Sequence, residues 1–404
     1  MLSSLQYQKT FQKSRLLSNI ADWFMLALCL GLFVFAIKSP IQNWDMLGYA
    51  ASVVTIENTD KDYIHKYVYQ QYKAYATPEE FKELTETSSY RKTMSQNAEA
   101  FNQQIPFYKI RIILVLLVFF LVKLGVNIFV ASHLITAAFT CLGILVFYDA
   151  FRKRILPAFW IVIPIFLVGF GIVDVARMVT ADSIAFLWVA LICYTFLNSK
   201  WKTFFLLLAT SVLIRTDMIF LIGLFSGYFI LFRPELRLIA ITTLLASIGI
   251  YLSINSYANN YGWSTVFYYA VISDMEATHP LEYSSIGVSI EQYLSAVKSN
   301  LAKFFPSRAI SLFAIAIFLQ VTIFAASLRR KLSFALVFRG ILNHPILLLT
   351  TISILYIIIH YILFPLLFER FFIGYYMIGA LGFLATVTDL TNGIISQEEI
   401  EPNK

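Results

Sequence analysis

Long apolar runs separated by short polar or basic breaks dominate the chain. A polar, basic start (Lys9, Lys13, Arg15) leads into a first apolar run over 21–37. Further runs of near span length cover roughly 110–149, 155–173, 182–197, 203–232, 237–255, 309–328, 344–366 and 371–389. About 20 apolar residues cross a bilayer as helix, so the pattern predicts a polytopic helical membrane protein. The first run has the look of a signal peptide, but Lys38-Ser39-Pro40 is not a small-residue cleavage site. An uncleaved anchor is expected there.

The 110–149 block has room for one crossing or two, and the basic loops decide between them. Cytoplasmic loops are enriched in Lys and Arg. With one crossing, Arg152-Lys153-Arg154, Lys200 and Lys202, Arg233 and Arg237, Arg329-Arg330-Lys331 and Arg339 all fall on the side of the basic N-terminus. With two, every cluster falls on the opposite side. The crossing is therefore expected at 128–149, and 110–125 becomes a re-entrant or interfacial segment, with Lys109, Arg111 and Lys123 in or beside it. The expected fold is all-α, with about ten transmembrane helices, both termini cytoplasmic and helical outer loops. It divides into a module at 1–255 containing a large outer loop at 39–109, a second outer loop at 256–308, and C-terminal helices with a short cytoplasmic tail at 309–404. Within the first loop 62–76 and 77–86 read as helices, with Thr77-Pro78-Glu79-Glu80 as a helix start. No internal repeat is visible, unlike repeat-built transporters.

Composition agrees. The chain is 59% hydrophobic and 14% charged, against roughly 25% charged in ordinary soluble domains. The net charge of +7 then marks membrane edges and calls for no nucleic acid. Cys29, Cys141 and Cys193 all lie inside apolar runs, which supports neither a disulfide framework nor a zinc site. No HExxH, Walker loop or GxSxG occurs. Gly169-Phe170-Gly171 follows no strand and is no dinucleotide loop, while Gly223 and Gly227 have the spacing of close helix packing. The absence of an N-x-Ser/Thr sequon suits a bacterial membrane.

A charged residue at the centre of a membrane helix costs about 2.5–3.5 kcal/mol on insertion scales, so ionisable groups in or beside spans are functional candidates. In the expected topology four separated places reach the outer face. Asp45 follows the first span; Asp174, Arg177 and Asp182 occupy a short loop; Arg215 and Asp217 break the 203–232 run into a hairpin with its tip outside; Glu369 and Arg370 precede the last span. Each has a plain alternative: Asp45 and Asp182 as helix caps, Arg215 and Asp217 as a mutual pair, Glu369 and Arg370 as an interfacial pair. His65 and His279 lie in the outer regions and read as surface histidines or substrate contacts.

These residues resemble motifs of the GT-C superfamily of multi-spanning glycosyltransferases, which use polyprenyl-phosphate-linked sugars. The carriers of the resemblance are Trp44-Asp45-Met46-Leu47-Gly48-Tyr49-Ala50, the stretch Ala176 to Ser183, Leu213-Ile214-Arg215-Thr216-Asp217 and Phe368-Glu369-Arg370-Phe371. In architecture it covers 1–235, with short patches afterwards. Met46 stands where many members have Glu, and Thr216 replaces the Pro of the tip motif. The resemblance implies Asp45 as catalytic base, alone or with Asp182. Arg215 and Arg370 become phosphate partners, with Asp217, Tyr49 and Glu369 in substrate binding. A divalent cation is the only cofactor it raises. The implied activity is inverting transfer of a sugar from a polyprenyl-phosphate donor to an envelope glycan, lipid or protein, at the outer face of a bacterial inner membrane. An envelope polysaccharide polymerase or ligase and a lipid or glycan transporter are the alternatives.

Overall fold

A computed structural model describes residues 2–304, 306–327, 342–366 and 368–400, with side chains described at 16–302, 306–324, 342–366 and 368–392. The basic sites Arg329-Arg330-Lys331 and Arg339 lie outside the described residues. Among the described residues no strand forms; Ile41 and Met178 make an isolated parallel bridge.

Helix α1 (Leu2–Lys38) runs up to an outer layer of six short helices: α2 (Asp45–Val54), α3 (Lys61–Tyr75), α4 (Pro78–Glu86), α5 (Ser89–Gln96), α6 (Ala98–Asn102) and α7 (Ile105–Lys109). The chain then bends by 109° into the apolar α8 (Ile112–Lys123). The bundle continues through α9 (Ile128–Phe151), α10 (Ile163–Gly169), α11 (Ile172–Arg177), α12 (Asp182–Leu197), α13 (Trp201–Thr210), α14 (Ile219–Phe232) and α15 (Arg237–Tyr257). After α16 (Gly262–Phe267) and α17 (Ile290–Phe304) come α18 (Arg308–Ser327), α19 (Pro345–Leu363) and α20 (Ile373–Ile400).

Local sequence explains the boundaries. At α4 the Thr77 hydroxyl accepts from the Glu80 N–H at 3.2 Å while the Glu80 carboxylate accepts from the Thr77 N–H at 2.8 Å, with Pro78 at the first helical position. Two orphan donors are satisfied by one reciprocal box. Asp60 caps α3 through the Tyr63 N–H at 2.8 Å, and Asn127 starts α9 by accepting from Phe129 and Val130. The 155–173 run is interrupted twice, by a 3-10 turn over Pro157–Val162 and by Gly171 at φ 73°. That left-handed angle is one that glycine adopts without a Cβ clash.

Among the described residues five helices are long and apolar enough to cross a bilayer, at 16–38, 128–151, 234–257, 345–363 and 369–392, or six if the bent pair around residue 110 counts as one. The expected runs at 155–173, 182–197 and 203–232 hold apolar helices of 10–17 residues, the last broken before the Arg215–Asp217 tip as expected, and α18 has 20 residues along the 309–328 run. The bend at Arg111 lies where the re-entrant or interfacial segment is expected. Gly223 and Gly227 depart from expectation, because a Cβ at either would meet nothing within 4 Å. No helix uses that small-residue spacing for close approach.

Two cores result. One fills the helix bundle, and the second joins the outer layer to the start of α9. Tyr69 and Tyr72 of the Tyr-rich outer segment are buried in the second core, whereas Tyr63 is exposed. Arg154 donates to the Leu197 carbonyl at 2.9 Å, and Arg233 lies 6.0 Å over Trp201. The basic clusters after α9, α12 and α14 therefore share one end of the bundle. Asp182, at the opposite end of α12, is separated from it by about 24 Å of helix at 1.5 Å per residue.

His65 is half-buried in the outer core, packed against Tyr69 and Phe101, with Nε2 3.0 Å from the Met94 carbonyl oxygen. Burial holds its pKa below the ordinary 6.5. The folded chain thus binds the proton less well than the unfolded one, and this contribution is lost as the pH falls through about 6.5. Thermal unfolding of wild type should shift down on acidification through that range, and His65→Gln should flatten the dependence. An unchanged slope in the variant would remove His65 as its source.

Candidate active site

The link between α1 and α2 runs beside the link between α11 and α12. Ile41 N–H donates to the Arg177 carbonyl at 3.0 Å. The Asn43 amide donates to the Val179 carbonyl at 3.1 Å and accepts from its N–H at 3.2 Å. Arg177 Nε donates to the Ser39 carbonyl at 2.7 Å. This short ladder carries the two chains directly into α2 and α12, whose first residues are Asp45 and Asp182. Neither carboxylate caps its helix: the cap positions are Trp44 and Ala181, with no side-chain cap bond at either. The carboxylates turn to arginines instead.

Arg370, just before α20, lies between them. Its Nη2 is 2.9 Å from Asp45 Oδ2 and its Nε 3.3 Å from Asp182 Oδ2. The other Asp182 oxygen accepts from Arg215. Arg215 grips Asp217 with Nε at 3.0 Å and Nη2 at 2.7 Å, a two-point contact of the kind guanidinium geometry favours. Asp217 also accepts from the Tyr356 hydroxyl at 2.9 Å and lies 3.2 Å from His360 Nε2. The result is one chain of alternating charge, Asp45–Arg370–Asp182–Arg215–Asp217. The side chains of Asp182 and Arg215 are each 5% exposed, whereas Asp45 is 24% and Arg370 26% exposed. Phe371 lies under both guanidiniums, 4.0 Å from Arg215 and 5.7 Å from Arg370.

The second oxygen of Asp45 accepts from the Tyr108 hydroxyl at 3.1 Å. Tyr108 comes this close because α2 carries Gly48 below it; a Cβ there would sit 2.4 Å from the ring. Tyr49 is buried, edge-on to Tyr108 with centroids 5.1 Å apart. Burial pushes the Tyr49 phenol up to about 12, with Arg111 opposing and Asp45 adding to the shift. Burial first, then Asp45, holds Tyr108 well above the usual range. Both phenols therefore remain neutral donors at physiological pH. Glu369 takes a separate course and accepts from Ser307, which receives the Ile310 N–H at the start of α18. It ties α18 to the entry of α20, while its neighbour Arg370 faces the acids.

Two cavities meet at this cluster. A polar one of about 520 Å³ is lined by Asp45, Tyr49, Tyr108, Asp182, Arg215 and Arg370 among others. A larger one of about 1210 Å³ is mostly apolar, with Phe220, Trp263, Val266, Leu363 and Phe364 in its wall and Asp217 and His360 at one side. Phe107, Arg111, Arg215 and Phe371 line both. Among the described residues no group of three or more His, Cys, Asp or Glu forms a metal-ligand set.

Of the residues singled out in the sequence, Asp45, Tyr49, Asp182, Arg215, Asp217 and Arg370 come together, while Glu369, His65 and Asp174 do not. Asp174 faces Arg177 at 3.7 Å. Sequence reasoning passed over Arg111, Tyr108, Tyr356 and His360. The signal for His360 was present, because an ionisable group inside an apolar run is a functional candidate by default. Tyr356 lies one helical turn before it, on the same face. Comparison with family models, curated proteins and solved structures gives no match.

Asp182 is the central link, contacting both arginines. Asp182→Asn should leave the buried Arg215 and the partly exposed Arg370 with one carboxylate each and cost about 3 kcal/mol of stability, read as a lowered Tm of the purified chain. A Tm equal to that of wild type would show that the charges are not energetically coupled.

Proposed function

We propose that the chain is an inverting, GT-C-like membrane glycosyltransferase that uses a polyprenyl-phosphate-linked sugar. One observation carries this reading: acids and arginines from four distant parts of the sequence surround a polar cavity that shares wall residues with a larger apolar one. That pairing suits an amphiphile whose headgroup reacts while its hydrocarbon chain stays out of water. In this reading the chain crosses the membrane about ten times, with its shorter helices completing the count. The basic ends of α9, α12 and α14 face the cytoplasm, and the site faces the outside of a bacterial inner membrane.

The chemistry follows from the geometry. The acceptor hydroxyl approaches Asp45, which keeps lone pairs free after its bonds to Tyr108 and Arg370. Its proton passes to the carboxylate as the acceptor oxygen bonds to the anomeric carbon. The bond from that carbon to the phosphate oxygen breaks, the electron pair leaves with the phosphate, and configuration inverts. Arg370 and Arg215, each held between two carboxylates, fix the acids beside the reacting centre. Asp182 holds the two guanidiniums in place, and Tyr49 borders the sugar pocket. The acceptor is a glycan, lipid or protein of the envelope.

Purified protein should release free polyprenyl phosphate from one member of a panel of polyprenyl-phosphate monosaccharides presented with candidate acceptors. Asp45→Asn should lower that rate by about 10²–10⁴-fold while the protein remains folded. No release from any donor by folded wild type would overturn the assignment and favour an envelope polymerase or ligase, or a transporter. A near-normal rate in the variant would remove Asp45 as the base.

A further inference from the structure

Arg215 and Arg370 are not free to receive an anion. Each already faces two carboxylates, Arg215 with Asp182 and Asp217, Arg370 with Asp45 and Asp182. Those three acids and two arginines carry one net negative charge, which opposes an incoming phosphate. Arg111 differs. It lines both cavities and makes no ion pair among the described residues. One Nη donates to the Phe107 carbonyl at 2.7 Å, which fixes the side chain at the 109° bend between α7 and α8. Its remaining N–H groups have no protein acceptor among the described residues. Lys109, close in sequence, lies over the Tyr257 ring at 4.5 Å instead.

The position matters as much as the charge. An amphiphile with its chain in the apolar cavity and its sugar beside Asp45 would have its phosphate at the wall the two cavities share, and Arg111 is part of that wall. We infer that Arg111 is the positioning residue for the donor phosphate, and that its one uncompensated charge suits a phosphodiester monoanion better than a diphosphate. The donor's identity as a lipid-linked sugar rests on the glycosyltransferase reading; the anion preference is tested without turnover.

The test is equilibrium binding to the full chain in phosphatidylcholine nanodiscs. The ligands are a long-chain polyprenyl methyl phosphate, the matching polyprenol, the matching polyprenyl diphosphate and water-soluble dimethyl phosphate. Wild type should bind the polyprenyl methyl phosphate most tightly. Arg111→Gln should weaken that ligand by roughly 10- to 100-fold, the loss of charge-assisted hydrogen bonds, and leave polyprenol binding unchanged. Arg111→Lys should recover part of the loss, since it restores the charge without the planar fork. Equal weakening of polyprenol and phosphate ligands would overturn the proposal, because it would make Arg111 a structural residue. Tighter binding of the diphosphate by wild type would overturn the one-phosphate preference, and dimethyl phosphate binding as tightly as the lipid would overturn a lipid headgroup as its source. Arg111-dependent binding alongside failed transfer would sink the glycosyltransferase reading alone. Wild type binding none of the ligands would sink both.

Discussion

A carboxylate or guanidinium taken out of water costs several kcal/mol unless a partner of opposite charge and good geometry replaces the lost solvent. The chain Asp45–Arg370–Asp182–Arg215–Asp217 meets that condition by alternation, so each internal member touches two opposite charges. Its members come from the first outer helix, the head of α12, the α13–α14 tip and the turn before α20. The network therefore exists only when those four regions are assembled, and much of the surrounding fold serves to place them. The ladder between 41–43 and 177–179 sets α2 beside α12. Phe371 gives both guanidiniums an aromatic floor. Tyr356 and His360 close the far end on Asp217.

The network also divides labour between a sealed middle and more open ends, for Asp217 at the far end is 20% exposed. Toward Asp182 and Arg215 it is nearly sealed, and there the charges act mainly on one another. Toward Asp45 and Arg370 it is about a quarter exposed and opens on the polar cavity. A chemically useful acid needs both a rigid mount and an open face. Asp45 has the first from Tyr108, admitted by the missing side chain at Gly48, and the second from the cavity.

Much of this was legible in the sequence. The helical class, the α9 boundaries, the start of α4 and the meeting of Asp45, Asp182, Arg215, Asp217 and Arg370 follow from hydropathy, cap chemistry and one-sided placement of charge. What failed to show has identifiable causes. Glu369 and Arg370 are adjacent in sequence, yet the turn sends them to different partners, Ser307 and the acids, and no pattern in the chain separates them. The expected crossing at 155–173 is broken, because the 3-10 turn at Pro157–Val162 and the bend at Gly171 are invisible to hydropathy averaged over a window. The sequence places Arg111 only by its segment, the re-entrant or interfacial stretch, since its value depends on what lies opposite, which is long-range information. Gly223 and Gly227 matched a packing motif by spacing alone, and a Cβ at either would meet no atom of the described residues within 4 Å.

The ladder joining 41–43 to 177–179 has a mechanical consequence. It is a short stitch between the outer layer and the bundle, placed immediately beside the two carboxylates. Sliding the layer over the bundle at that seam would separate Asp45 from Asp182 and tear open the ion-pair chain. On the far flank the bend at 110–111, α16 and the end of α19 border the apolar cavity, and Trp263 Nε1 donates to the Leu363 carbonyl at 2.8 Å to join the last two. On the proposed reading, a donor's hydrocarbon chain would reach the cavity by breaking that bond, with the two carboxylates still held together at the seam.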